Sequence, residues 1–255
     1  MKASVLARAA TERYPDWGGG DQLTHVLQRG AENASFTVAH HPKAVNRFRE
    51  AMDLFAEGIV DYEEVRRCGR SDFGFVRYDR ALTFFTGARR SLLCGAKLTY
   101  EHELTDAAKP LRGAIEAAFA ACHVFSDPGA YERWMNRPPA SRCSNPREDA
   151  ARLTRREVGT EFGVPRLAAE LRSWSISVAS AAFDLYEELI DVGGHFNVAT
   201  LQFTTIQPDG TELSKALSRV NRTAVTCLRM LDLVFAPVWS DAKLSQQIRR
   251  YAGAR

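Results

Sequence analysis

The stretch PLRGAIEAAFAACHVF, residues 110–125, decides the architecture. Wound at 100° per residue, its apolar side chains fall on every side of the cylinder, and Arg112, Glu116 and His123 are the polar exceptions. A helix that is apolar all round must be enclosed, so other helices have to surround it. It begins between Asp106 and Pro110 and stops at Ser126-Asp127-Pro128. There Asp127 is placed to cap a short helix, AYERWMNR (130–137), with Pro128 in its first position.

The neighbours this helix needs lie on both sides of it. Val45, Phe48, Met52, Phe55, Ile59 and Tyr62 step by three and four and mark one buried helical face, and a second long helix fits 77–100. Beyond the loop PPASRCSNPRED (138–149), Leu167, Leu171, Trp174, Val178, Ala181, Leu185, Leu189 and Val192 predict one long helix over 165–192 that breaks at Gly193-Gly194. Leu213, Leu217, Val220, Ala224, Cys227 and Leu231 place another over 212–236, with a small one near 240–252. Residues 199–210, ATLQFTTIQPDG, turn β-branched and end in Pro-Asp-Gly, so a short extended segment is expected near 199–207. Residues 1–42 read as an arm that mixes a short helical piece with YPDWGGGD and SFTVAHHP and is held by turns, and 43–255 as one domain without an internal linker. The fold expected is all-α: an antiparallel bundle of five or six main helices.

Composition narrows the function classes. At 255 residues, 45% hydrophobic and 25% charged, the chain is an ordinary globular one, and a formal charge of +3 does not by itself imply a nucleic-acid partner. Cys68, Cys94, Cys122, Cys143 and Cys227 are odd in number and widely spaced, which suits reduced thiols in a cytoplasmic protein. No stretch approaches the roughly 20 apolar residues of a membrane span, and MKASVLARAATERYP lacks a secretory core, so no membrane partner is expected.

Spacing excludes several chemistries. Neither a dinucleotide fingerprint nor a phosphate-binding P-loop is present, and GGG at 18–20 reads as a turn. H-E-x-x-H, C-x-x-C and the E-x-x-H of di-iron bundles are missing, so no metal and no cofactor are expected. Cys122 and His123 are adjacent on a helix and point about 100° apart, which argues against a direct nucleophile–base pair.

Three groups of polar residues remain. Arg112, Glu116 and His123 share a stripe of the enclosed helix, and either line a polar pocket or satisfy one another as a self-paired ion pair. After the glycine break come His195 and Asn197, close behind the acids Glu187, Glu188 and Asp191. His195 is either an acid–base group oriented by Asp191 or a positive cap on the helix end. Arg112, Glu116, Asp191 and His195 are therefore the catalytic candidates, and with His123 and Asn197 the binding candidates. Lys215, Arg219, Arg222 and Arg229 form a basic stripe with three readings: a solvated face, a partner for the acids at 187–191, or a contact for the phosphates of nucleic acid. A homodimer packing on Phe84-Phe85 or Trp134 is the alternative to an enzyme.

Two segments, LRGAIEAAFAACHVFSDPGAYERWMNR (111–137) and LYEELIDVGGHFN (185–197), together resemble bacterial all-helical domains of unknown function. In those, an Arg-and-Glu helix is followed by an Asp-Pro turn and a Trp-bearing short helix, and later by a Leu-Tyr segment ending in Gly-x-His-x-Asn. Some such families are similar to HEPN bundles of bacterial toxins and antiphage systems, which implies RNA as a target and an Arg four to six residues ahead of a His. No histidine of this chain has that arginine, so the resemblance implies binding or assembly rather than RNA cleavage.

Overall fold

The computed structural model describes residues 22–69, 74–136, 156–193 and 210–253. All the regular secondary structure of the described residues is helical, as the sequence predicts, and six helices of 18 residues or more form the body. In chain order these are α1 (Gln22–His40), α2 (Pro42–Arg67), α3 (Phe75–Tyr100), α4 (Leu104–Ser126), α5 (Pro128–Met135), α6 (Val164–Leu171), α7 (Ile176–Gly193), α8 (Gly210–Phe235) and α9 (Ala242–Gly253). A further helical turn covers 156–161.

α4 is the enclosed helix. Leu111, Ala114, Ile115, Ala118, Phe119, Ala121 and Val124 are all buried, and the helix packs on α3, α6, α7 and α8. A three-residue connection folds it back along α3, with His102 in the left-handed region at φ 68°. The contact is closest at Gly95, where a β-carbon would come within 2.6 Å of the Leu111 side chain. Glycine here lets two helix backbones approach more closely than any side chain would allow.

Gly193 serves the same purpose. It is the last residue of α7, and a β-carbon there would meet Thr105 O at 2.6 Å and Ala108 Cβ at 2.5 Å. The successive long helices α2, α3 and α4 run antiparallel: Phe55 meets Phe85 and Tyr62 meets Phe75, and Gly95 meets Leu111 while Gly113 meets Ser91. By contrast, α2 and α8, distant in sequence, run the same way: Ala44 meets Asn221 and Gly58 meets Leu231. Between them Phe55, Tyr62, Phe85 and Phe235 form an edge-to-face aromatic centre, with Tyr62 and Phe235 at 5.0 Å.

Two sequence expectations change. The single helix over 165–192 is two, α6 and α7, because Ser175 accepts the Val178 N–H at 3.4 Å and starts a new helix; the apolar period survives because both pieces face the same core. Within the expected arm, residues 22–40 form a complete helix against α3, pinned by Thr37, whose hydroxyl donates to Tyr100 O at 3.1 Å. Phe85 is fully buried, and the half-buried Phe84 and Trp134 pack on Phe162. The extended segment near 199–207 and the loop at 138–149 lie outside the described residues. No helix described is long and apolar enough to cross a membrane.

Candidate functional site

The predicted residues separate into different places. Arg112 and Glu116 pair with each other at 3.3 Å on a partly exposed face of α4, beside the Tyr186 hydroxyl of α7. Asp191 is exposed near the end of α7, and His195 and Asn197 lie outside the described residues. Of the basic stripe, Lys215 pairs with Glu212, and Arg229 donates to Ser177 Oγ at 3.1 Å. Arg219 and Arg222 both grip Glu188, at 2.9 and 2.7 Å. Burial pushes the Glu188 carboxyl up, but the two guanidinium groups overcome it and hold it below the usual range. The stripe thus closes partly on the acidic end of α7, as one of its three readings had it.

His123 leaves this group and forms one of its own. It is 4% exposed at the far end of α4, and each ring nitrogen meets a carboxylate: Nδ1 lies 2.8 Å from Glu170 Oε2 and Nε2 lies 3.0 Å from Glu161 Oε1. Glu170 also accepts from Ser126 Oγ. Arg133 of α5 donates to both Glu161 oxygens and to Asp127 Oδ2, the last at 2.6 Å. Asp127 is the N-cap foreseen for α5 and takes the Gly129 N–H at 2.8 Å through Oδ1. The Arg133 guanidinium, helped by His123, holds the Glu161 carboxyl below its ordinary value, and Arg133 does the same for Asp127. Phe162 stands edge-on to the His123 ring at 5.2 Å, and Trp134 packs behind it. His123, Asp127 and Glu161 each offer one donor atom, all within 4.8 Å of one another.

A second place with chemistry is a cleft of about 990 Å³ where the α1–α2 junction faces α7 and α8. His40, His41, Lys43, Arg47, Arg222 and Arg229 line it against one acid, Asp184. The first turn of α2 opens into it: Pro42 is the first residue, and His41 gives no side-chain cap. The amide groups of such a turn point outward and favour an anion. At the wall, Asn221 is 9% exposed; its amide donates to Ala44 O and Leu217 O, while its Oδ1 has no partner.

Glu161 and Glu170 were not legible as site residues, because they reach His123 across the 138–149 loop from elements with no spacing relation to α4; Arg133, on α5, joins the cluster through Glu161 and Asp127. The one local signal was His123 and Asp127 at i and i+4, spanning the end of one helix and the cap of the next. Lys43 and Arg47 carried the same kind of signal beside a Pro-initiated helix. Comparison with protein-family models, with curated proteins and with solved structures finds no match.

Proposed function

We propose that this chain is a cytoplasmic binding module that takes a small phosphate-bearing ligand in the cleft between α2, α7 and α8. The observation that carries the reading is the convergence of six basic or imidazole side chains and an uncapped helix N-terminus on one cleft with a single acid. A volume of about 990 Å³ suits a nucleotide-sized molecule. Ala181, Leu185 and Val225 supply an apolar wall, and the buried Asn221 Oδ1 is an acceptor that a hydroxyl or amino group of the ligand would satisfy. A nucleic-acid strand is the second reading, favoured by Arg222 and Arg229 lying along one helix.

Calorimetric titration with inorganic pyrophosphate and with ATP tests the first reading. Saturable binding is expected, weakened at least tenfold in Lys43→Glu and in Arg229→Glu, and weakened by added salt. At a ligand concentration of 100 Kd the melting temperature should rise by about 5 to 10 °C. A single-stranded RNA that binds while both small probes fail would move the assignment to nucleic acid. No binding by any of the three would overturn both.

A further inference from the structure

We infer that His123, Asp127 and Glu161 form a divalent transition-metal site for which the guanidinium of Arg133 competes. The inference rests on the α4–α5 cluster and is independent of the cleft.

Three features point to metal ligation rather than to an ordinary ion pair. First, the donor set is an imidazole and two carboxylates within 4.8 Å of one another. Metal–ligand bonds of about 2.0 to 2.2 Å put donors on opposite sides of one ion about 4 Å apart, so only a small closure is needed. Second, two donors are held from behind by a separate group. Asp127 Oδ1 is engaged by the Gly129 N–H, which turns Oδ2 inward, and Glu170 faces His123 Nδ1 at 2.8 Å while Ser126 holds Glu170. A carboxylate behind a histidine, fixing the ring so that its other nitrogen faces the ion, is the usual outer shell of a metal site. Third, the residues are unequally buried. His123 and Glu161 are 4% and 7% exposed, whereas the Arg133 side chain is 45% exposed and can withdraw into water.

Arg133 Nη2 stands 2.6 Å from Asp127 Oδ2 and 2.5 Å from Glu161 Oε1, the place a shared cation would take. A guanidinium and a metal ion therefore exclude one another there, and loading the site moves Arg133 outward. Imidazole with carboxylate favours zinc, cobalt, manganese or iron over magnesium or calcium.

The test is titration of the full chain with Co²⁺ alone, followed by its ligand-field absorption, and with Zn²⁺ alone by calorimetry. One equivalent is expected to bind through nitrogen and oxygen, without the charge-transfer band of thiolate ligation. Arg133→Ala should tighten binding at least tenfold by removing the competitor. His123→Asn should weaken it at least 100-fold, and Glu170→Gln should weaken it by about 10- to 100-fold at unchanged stoichiometry. If His123→Asn fails to fold, Arg133→Ala decides. The inference is overturned if neither the wild type nor Arg133→Ala binds one equivalent, if Arg133→Ala binds more weakly, or if the spectrum shows thiolate, which would place the metal on cysteine instead.

Discussion

Gly95→Ala measures how tightly α3 and α4 are pressed together. In open helix, replacing glycine by alanine stabilises by roughly 0.5 to 1 kcal/mol, because alanine has less backbone freedom to lose. At Gly95 the new methyl would stand 2.6 Å from Leu111 Cγ and Cδ2 and 3.3 Å from Ala107 O. Leu111 is 2% exposed and has nowhere to go, so the two helices must part or a rotamer must strain, at a cost of about 1 to 3 kcal/mol. Gly87, also within α3, has nothing within 4 Å of its would-be β-carbon and supplies the control. Subtracting Gly87→Ala from Gly95→Ala cancels the common propensity gain and leaves the steric term alone, about 1 to 3 kcal/mol against Gly95→Ala. For a chain of this size that difference is roughly 2 to 12 °C in melting temperature. Urea unfolding followed by circular dichroism reads the free energies directly, with unchanged denaturant slopes as the condition for comparing them. Equal stability of the two variants would refute the close packing of α3 on α4.

Two further outcomes follow from the same structure. Burial pushes the Cys122 thiol up and the Cys227 thiol to about 12, so a thiol reagent on native protein should modify the exposed Cys68 and Cys94 and spare Cys122 and Cys227 until denaturant is added; modification of either buried thiol without unfolding, mapped by mass spectrometry, would contradict this. Arg133 holds Asp127 and Glu161 below their ordinary values, so the unfolded chain binds more protons in acid, and the stability they contribute is complete above about pH 5 and lost as the pH falls through the lowered values. Thermal unfolding should therefore lose less between about pH 5 and pH 3 in Arg133→Gln than in the wild type; parallel curves would remove Arg133 as the cause.

The bundle was legible because burial imposes a period. α4, apolar all round, could only be central, and Asp127-Pro128 marked the start of α5 from capping chemistry alone. The α6–α7 break was hidden because Ser175 interrupts the backbone without moving Trp174 or Val178 off the core side. The end of α7 at Gly193 was legible from the glycine pair, but its close approach to Thr105 and Ala108 was not, because the partner lies on another helix. The polar sites were less legible. Arg112 and Glu116 were visible as a pair at i and i+4 and remain one. Whether His123 is buried was left open by its helix, and its partners Glu161 and Glu170 lie 38 and 47 residues away, a separation that no local pattern encodes.

The parallel pairing of α2 with α8 has a consequence for how the chain is made. Asn221 reaches Ala44 O across 177 residues, and Tyr251 reaches Arg47 O across 204. At about 5 to 20 residues per second, a ribosome needs roughly 10 to 40 s to supply those partners after α2 has emerged. During that interval Val45, Phe48 and Phe55 have no α8 or α9 to cover them, so the nascent chain should engage a holding chaperone early and release it only when α8 arrives.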